Sequence, residues 1–350
     1  MRSFRSEGEL VDVVPLERGH IHDTFVSRWE SGGTTRRLLH QRMNDEVFPD
    51  LDGLMRNVRL VTEHLGKRLS GGSGDGFEPM RLVHATDGSP YVRTASGAWR
   101  TFVFIENTSS FDRCEGPEQA YLAARAFGWF QRQLSDLDAN ELVETIPNFF
   151  STPFRLEQFD RALRDVDEAR RSTAAEEIAF VQERRAFAGA MQERLDRGAF
   201  PERVVHGDTK LNNILFDDDT RRPKGIVDLD TCMPAYSLYD FGDLVRFTAA
   251  TSAEDERDPS RIGTDLELYR ALRDGYLEEA KAFLGPEEIS LMPLSARLVT
   301  FTIGLRFLTD HLSGDVYFKI DRAGHNLDRA RVQLGMVRFM EAHETEMATG

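Results

Sequence analysis

The sequence predicts an α+β protein made of two parts, and three observations lead to this fold class. The first hundred residues contain short apolar and β-branched runs between turn residues, as expected of mixed strands and helix. Beyond Gly116 the apolar positions recur mostly at helical spacing. A third segment, residues 203–230, returns to strand-like runs and encloses several polar side chains. A chain of 350 residues can bury a large core, as one two-lobed unit or as two domains.

The first part begins with predicted strands at residues 11–14 and 24–26. A third strand is predicted at 37–42, after the turn at 31–33. A strand at 99–105 closes this part, because its run of apolar residues is followed by polar ones.

Between these strands lies a predicted helix at residues 51–65. The helical spacing is carried by Leu51, Leu54, Met55, Val58, Val61 and Leu65. The glycine-rich stretch at 71–76 indicates a flexible surface connector, since it does not match the dinucleotide-binding glycine pattern.

The second part is predicted to be mostly helical. Pro117 suits a first helical position, and a buried stripe follows it. That stripe consists of Ala123, Phe127, Phe130 and Leu134. Further helices are expected within residues 155–198 and near 265–284, 293–312 and 324–343.

Three polar residues in the segment 203–230 stand in the order that phosphoryl transfer in the kinase-like fold needs. Asp208 is followed five residues later by Asn213, and Asp228 comes fifteen residues after that, at the end of a predicted strand. In this chemistry an aspartate accepts the proton of the substrate hydroxyl, while an asparagine and a second aspartate hold magnesium against the nucleotide phosphates. A rigid loop between two strands suits such positioning.

These residues carry a resemblance to a known family. His206-Gly207-Asp208 with Asn213, followed by Ile226-Val227-Asp228, resembles the signature of the aminoglycoside phosphotransferase and choline kinase superfamily. Shorter blocks resemble the bacterial N-acetylhexosamine 1-kinases within it. Those blocks are residues 19–21, 54–58, 208–215, 228–231, 239–243 and 306–308.

The resemblance extends from about residue 18 to the low 330s and implies a two-lobed, protein-kinase-like fold of the aminoglycoside phosphotransferase type. A small β-rich N-lobe, residues 1–107, would bind the nucleotide. A larger helical C-lobe, residues 108–350, would carry the catalytic loop and bind the sugar. ATP and Mg²⁺ are the expected cofactors.

The motif assigns catalytic roles in the loop. Asp208 is predicted to be the base, and Asn213 and Asp228 the magnesium ligands, since magnesium prefers hard oxygens and takes few protein ligands beside phosphates. Asn212 is an alternative to Asn213 that the five-residue spacing disfavours. Lys210 either stabilises the moving phosphoryl group or faces solvent.

Two neighbours of the motif are expected to support the loop. His206 is interpreted as a hydrogen-bonding structural residue, not a proton shuttle. Asp240 either caps a helix beginning near Leu244 or bonds to the catalytic loop.

Four residues are candidates for substrate binding. Asp230 would project to the same side as Asp228 on a strand and hold a second metal or, more favourably, a sugar hydroxyl. Arg306 either enters the cleft to bind sugar oxygens or forms a surface pair with Asp310. Tyr317 and Asn44 are sugar contacts, or alternatively packing and turn residues.

The nucleotide side has a weaker signal. Gly19 and His20 lie between two predicted strands, where a kinase-like fold places its phosphate-covering loop. Gln41 stands where such folds usually carry a phosphate-binding lysine, so the grip on the phosphates is unexplained. Glu106 and Asn107 would offer backbone groups to the adenine edge.

Composition limits the partners. The formal charge of −15, from 44 Lys and Arg against 59 Asp and Glu, argues against nucleic acid but does not exclude a nucleotide. No apolar run approaches the roughly 18 residues of a membrane span, and no secretory signal is expected. Cys114 and Cys232 are far apart and suggest neither a disulfide framework nor a thiolate metal site. A cytoplasmic location follows.

The leading hypothesis is an ATP- and magnesium-dependent kinase that phosphorylates the anomeric hydroxyl of N-acetylhexosamines such as GlcNAc and GalNAc. One alternative is a kinase of an aminoglycoside, choline or homoserine on the same fold. A second is a pseudokinase scaffold that binds nucleotide without turnover. The sequence does not indicate the preferred hexosamine or the oligomeric state.

Overall fold

A computed structural model describes residues 3–16, 21–70 and 76–349. The chain divides into two compact units. The first contains Met1–Ser110, Asp136–Pro147 and Asn213–Pro234. The second contains Phe111–Ser135, Asn148–Asn212 and Ala235–Gly350. The first unit carries an antiparallel sheet and the second is helical, which confirms the predicted α+β, protein-kinase-like fold.

The elements follow in chain order. The strands are β1 Glu9–Pro15, β2 Asp23–Ser31, β3 Thr34–Met43, β4 Val92–Thr94, β5 Gly97–Val103, β6 Thr108–Ser109, β7 Arg203–Val205, β8 Ile214–Asp217, β9 Pro223–Ile226 and β10 Met233–Ala235. The helices are α1 Leu51–Leu69, α2 Pro117–Leu134, α3 Thr152–Asp165, α4 Glu168–Thr173, α5 Ala175–Glu183, α6 Ala190–Asp196, α7 Leu238–Thr248, α8 Leu266–Ala280, α9 Pro286–Ser290, α10 Met292–Leu312, α11 His325–Ala342 and α12 Glu344–Thr349.

The sheet of the first unit has the strand order β1-β2-β3-β5-β4, with antiparallel pairing throughout. The β2–β3 hairpin turns at Gly32 and Gly33, whose φ angles are 57° and 83°. Two successive positive φ values are those of a tight hairpin turn, and glycine adopts them without strain. The strands predicted near 11–14, 24–26, 37–42 and 99–105 are confirmed, the last ending two residues early.

Helix α1 confirms the helix predicted at 51–65 and continues to Leu69. Asp50 caps its N-terminus by accepting a hydrogen bond of 2.9 Å from the Gly53 amide. The predicted apolar positions are all buried, so helical spacing correctly identified the face that packs inward.

A separate three-stranded sheet in the first unit has the order β6-β8-β9. In the β8–β9 hairpin Ile214 pairs with Ile226, so the residues before β8 and after β9 lie at the same end of the hairpin. This pairing is what brings the two predicted magnesium ligands together.

The second unit is built around the α2–α8 pair and around the central helix α10. Helices α2 and α8 approach so closely that a Cβ on Gly275 would lie 2.1 Å from the Tyr121 carbonyl oxygen, and one on Gly128 would lie 2.7 Å from that of Tyr276. Helix α10 is buried over most of its surface and packs against α3, α7 and α11, as expected of a helix that is apolar nearly all round.

The helices predicted within 155–198 and near 265–284, 293–312 and 324–343 are confirmed by α3–α6, α8, α10 and α11. Within the described parts of the chain, every helix is too short or too polar for a bilayer span.

Candidate active site

The loop after β7 is held in shape by a carboxylate behind it. Asp240 on α7 accepts hydrogen bonds of 2.8 Å from the backbone amides of His206 and Gly207, and one of 2.6 Å from the Gln131 side chain. Gly207 has φ 81°, a conformation that favours glycine. Helix α7 begins at Leu238, so the helix start predicted near Leu244 is wrong, whereas the predicted bond from Asp240 to the loop is confirmed.

Asp240 is almost completely buried, with 1% of its surface exposed. Burial raises the pKa of the Asp240 carboxyl, although His206 and the donors from His206, Gly207 and Gln131 lower it in part. The buried Asp240 side chain thus serves to bind the backbone amides of His206 and Gly207.

A second carboxylate, one helical turn further along α7, fixes the next part of the loop. Asp243 accepts a hydrogen bond of 3.0 Å from the Thr209 amide and forms a buried ion pair of 2.9 Å with Arg246. The Thr209 hydroxyl also donates to the Asp240 carbonyl at 2.8 Å. The loop is thus braced from one side along its first four residues.

His206 lies inside the second unit. Its ring meets the edges of Phe127 and Phe130 at centroid distances of 5.3 and 5.5 Å. Its Nδ1 accepts a hydrogen bond of 3.3 Å from the Asp208 amide. Both observations support the predicted structural role.

Asp208 and Lys210 form an ion pair at the accessible side of the loop. Lys210 Nζ lies 3.0 Å from Asp208 Oδ1, and the Asp208 side chain is 23% exposed. Burial acts to lower the pKa of Lys210, but the carboxylates of Asp208 and Asp243 outweigh it and raise the pKa above its usual value. The loop therefore presents a carboxylate beside a permanently charged ammonium group.

In the first unit, Asn213 and Asp228 lie at one end of the β8–β9 hairpin. The Val227 amide donates to the Asn213 carbonyl at 2.9 Å, directly before Asp228. Asn213 is 7% exposed, whereas the side chain of Asn212 is exposed and donates to Asp112 at 3.2 Å. The spacing that favoured Asn213 over Asn212 therefore agrees with the geometry of the hairpin.

Asp228 has the left-handed backbone conformation, with φ 64° and ψ 63°. A non-glycine residue held there indicates a local constraint, and such residues concentrate at functional sites. One amide oxygen and one carboxylate meet the needs of a magnesium ion that also binds phosphates. Among the described residues no group of three or more His, Cys, Asp or Glu side chains is placed to hold a metal by itself.

Asp230 occupies a different setting from the one predicted. It lies in a short 3-10 turn, Leu229–Thr231, so the strand geometry assumed for it is wrong. Its carboxylate is 3% exposed and is bound by Arg100 through both terminal nitrogens and by His22 Nε2 at 2.5 Å. Both oxygens are thus bound by protein cations or donors, which removes the geometric basis for a sugar or second-metal role.

Burial opposes ionisation of Asp230, but Arg100 and His22 outweigh it and hold the pKa of this carboxyl well below its usual range. The sequence reasoning missed both partners. An arginine inside the apolar strand β5 was the available signal for Arg100, because arginine is rarely buried without a partner.

Two other predicted residues have local structural partners. Gln41 on β3 faces Arg100 on β5 and accepts a hydrogen bond of 2.9 Å from its Nε. Asn44 accepts from the backbone amides of Glu46 and Val47 at 3.0 and 3.2 Å. For Asn44 the structure shows turn formation, the alternative to a sugar contact.

The segment predicted to meet the adenine edge is fixed to the β8–β9 hairpin. The Glu106 carbonyl accepts a hydrogen bond of 3.0 Å from Lys224, and the Asn107 carbonyl accepts one of 3.1 Å from the Asp218 amide. The Glu106 side chain pairs with Arg37. Gly19 and His20 lie outside the described residues.

In the second unit, Arg306 on α10 lies among aromatic rings. Its guanidinium carbon is 5.4–5.8 Å from the ring centroids of Phe149, Tyr317 and Phe318. Asp310 instead accepts hydrogen bonds from the backbone amides of residues 316–318, so the alternative pairing of Arg306 with Asp310 is wrong. Tyr317 is 67% exposed, and its hydroxyl lies 3.5 Å from Arg306.

A second arginine, Arg155 on α3, lies beside this group. Its terminal nitrogen donates to the Phe149 carbonyl at 3.4 Å, and its Nε is buried without a hydrogen-bond partner. Burial, together with the charge of Arg306, lowers the pKa of Arg155 to about 10. Among the described residues neither guanidinium has an acidic partner, so two cations and several aromatic rings lie together on this unit.

Comparison with known proteins agrees with the observed fold. The profile of the phosphotransferase enzyme family matches residues 13–280. A microcompartment-associated aminopropanol kinase is 15% identical, with a TM-score of 0.57 over 97% of this chain and 94% of that one. A spectinomycin phosphotransferase solved with ADP and spectinomycin is 11% identical, with a TM-score of 0.55 over 95% and 94%. A choline kinase from Cryptosporidium parvum is 14% identical, with a TM-score of 0.54 over 96% and 90%. At such low identities, these TM-scores establish a shared fold alone.

Proposed function

Because this chain belongs to the phosphotransferase enzyme family, we propose that it is an ATP- and magnesium-dependent sugar kinase. Its product would be the 1-phosphate of an N-acetylhexosamine such as GlcNAc or GalNAc. The observation that carries the proposal is the braced loop, which presents Asp208 beside Lys210.

Asp208 orients the anomeric hydroxyl and accepts its proton as the oxygen attacks the γ-phosphorus in line. The bond between the γ-phosphorus and the β–γ bridging oxygen breaks on the opposite side, and ADP leaves. An anomeric hydroxyl is more acidic than the other ring hydroxyls, so a carboxylate removes its proton more readily. Lys210, which stays protonated, balances the negative charge that gathers on the transferring group. Asp240 and Asp243 keep the loop in one shape, which limits the motion of Asp208 relative to its substrate.

Asn213 and Asp228 would hold the magnesium ion. When bound, magnesium neutralises charge on the nucleotide phosphates and orients them. The hairpin contact between Val227 and Asn213 supports this assignment, because it keeps the two ligands at the same end of β8 and β9.

The arginine and aromatic group of the second unit supports a neutral, oxygen-rich acceptor. Guanidinium groups donate hydrogen bonds to sugar oxygens, and an exposed aromatic face such as Tyr317 offers a surface for a sugar ring. Arg155 and Arg306, with no acidic partner among the described residues, disfavour cationic acceptors. Kinases of aminopropanol and choline share the fold, so an amino alcohol is the rival acceptor class.

A screen of ADP release over free sugars, aminoglycosides and amino alcohols tests the acceptor, and phosphorus-coupled NMR identifies the position phosphorylated. We expect turnover with N-acetylhexosamines and phosphate coupled to the anomeric proton. Phosphate coupled to the C6 protons, or turnover only with amines, would contradict the assignment. Absence of turnover with every acceptor, despite nucleotide binding, would favour a pseudokinase.

Arg306→Ala provides a second test. We expect a larger rise in the sugar KM than in the ATP KM, because Arg306 lies among rings of the second unit. Arg270→Ala, which removes a half-exposed arginine on α8, is the matched control and should leave both values unchanged. Equal effects of Arg306→Ala on both substrates would exclude Arg306 from acceptor binding.

A further inference from the structure

A buried ion pair joins the central sheet of the first unit to the segment that carries Asp228. Arg100 is 2% exposed and Asp230 is 3% exposed. The two guanidinium nitrogens of Arg100 bind the two carboxylate oxygens of Asp230, one of them at 2.8 Å. A bidentate pair of this kind fixes the relative orientation of both partners.

Arg100 lies beside the position of the absent third-strand lysine. Gln41 stands where a kinase-like fold usually carries that lysine, and Arg100 is its register partner on the neighbouring strand β5. The Gln41 amide oxygen accepts from Arg100 Nε at 2.9 Å, which orients the guanidinium toward Asp230. Gln41 thus holds the Arg100 guanidinium in place.

His22 strengthens the same connection from another direction. Its Nδ1 accepts a hydrogen bond of 3.1 Å from the Asn44 amide, so its Nε2 donates to Asp230 at 2.5 Å. His22 directly precedes β2 and lies within the segment predicted to cover the phosphates. The Asp230 carboxylate therefore receives hydrogen bonds from His22, before β2, and from Arg100, on β5.

The backbone around Asp230 is also clamped. The Thr145 hydroxyl donates to the Asp230 carbonyl at 3.2 Å, and the buried Asn57 amide on α1 donates to the Cys232 carbonyl at 3.0 Å. Asp228, two residues before Asp230, has the left-handed conformation that such anchoring sustains. The side chain of Asp230 anchors the chain two residues after the proposed metal ligand.

We propose that Arg100 and Asp230 are positioning residues for magnesium-nucleotide binding: their ion pair, oriented by Gln41 and His22, holds Asp228 in its ligand geometry. This inference rests on the proposed function for the role of Asp228. It assigns no substrate contact to Asp230.

The test separates positioning from mere stability by replacing the pair with apolar residues of similar size. Arg100→Met alone leaves a carboxylate buried without its cation and should lower Tm. The double variant Arg100→Met with Asp230→Leu removes both charges, and apolar replacement of a buried pair restores stability in many proteins. Its Tm should therefore recover in part toward that of the wild type, because His22 Nε2 and Gln41 Oε1 lose the partners that they have in the native protein.

Binding of ADP is then measured by calorimetry, with Mg²⁺ and with EDTA. Residues that orient a metal ligand affect metal affinity on the order of 10–100-fold, so the double variant should lose about that factor of the Mg²⁺-dependent affinity. Its affinity in EDTA and the KM of the acceptor should change less than about twofold by the same reasoning. Arg100→Lys keeps the charge but not the bidentate fork, so its Mg²⁺-dependent ADP affinity should lie between those of the wild type and the double variant.

The matched control is Arg28→Met with Asp12→Leu, an ion pair of 3.0 Å on β1 and β2 that is nearly half exposed. It should leave Tm and ADP binding unchanged. A double variant at Arg100 and Asp230 that binds Mg²⁺-ADP like the wild type would overturn the proposal. If the double variant does not fold, Asp230→Asn is measured in the same titration, and unchanged binding there overturns it as well. Wild-type protein without Mg²⁺-dependent ADP binding would instead refute the proposed kinase function itself.

Discussion

Replacement of the proposed base, Asp208→Asn, gives the sharpest test of the active-site loop. Asparagine has nearly the same shape but cannot accept the hydroxyl proton. Loss of a general base costs about 10²–10⁴-fold in rate, which corresponds to about 3–5 kcal/mol in the activation barrier. We expect kcat to fall by that factor.

The structure predicts that this variant keeps its fold. Asp240 and Asp243 set the shape of the loop through backbone amides. The pair between Asp208 and Lys210 is partly exposed, with side-chain exposures of 23% and 40%, so its loss costs at most about 1 kcal/mol. Tm should therefore fall by no more than about 2–4 °C.

The assay measures ADP release at saturating acceptor and, separately, the Kd of ADP by calorimetry. Asp219→Asn, which alters an exposed turn carboxylate, is the control for general effects of removing a negative charge. A variant at Asp208 with near-normal kcat would refute the catalytic role. A large loss of Tm or of ADP affinity would show instead that Asp208 supports the fold.

Three further outcomes are expected. Asp228→Ala should raise the Mg²⁺ requirement for ADP binding and turnover, whereas Asn212→Ala should not; an unchanged Mg²⁺ titration for Asp228→Ala would exclude it as a ligand. Burial lowers the pKa of His40 to about 4. Neutral His40 therefore contributes stability that is present above pH 6.5 and is lost, by about 3 kcal/mol, as the pH falls toward 4. Denaturant unfolding across this range should show a smaller loss of stability in His40→Gln than in the wild type, and identical pH profiles would contradict this expectation. Gly207→Ala should destabilise the protein by about 1–2 kcal/mol, because φ is 81° there, and a neutral effect on denaturant unfolding would be inconsistent with that strain.

Much of the fold could be predicted from the sequence because its signals are local. The apolar spacing of α1, the paired glycines of the β2–β3 turn and the buried stripe of α2 each lie within a short window. Boundaries were less certain, as the early start of α7 at Leu238 shows. Helix α7 has no side-chain hydrogen bond at its N-cap, so no local capping signal marked its start.

The candidate site likewise has residues that the sequence placed correctly and one that it misplaced. The spacing of Asp208, Asn213 and Asp228 was visible because one loop and one hairpin carry all three. Asp230 was misplaced because strand alternation was assumed where the chain forms a 3-10 turn.

The sequence by itself determined which residues stand next to one another on the catalytic loop and its hairpin, since turn chemistry and strand pairing act over a few positions. Only the tertiary structure decided which buried charges meet. Arg100 and Asp230 are 130 positions apart, and folding brings the turn at Leu229–Thr231 against β5. A buried charge is stable only with a partner, but the chain order does not reveal which partner folding will supply.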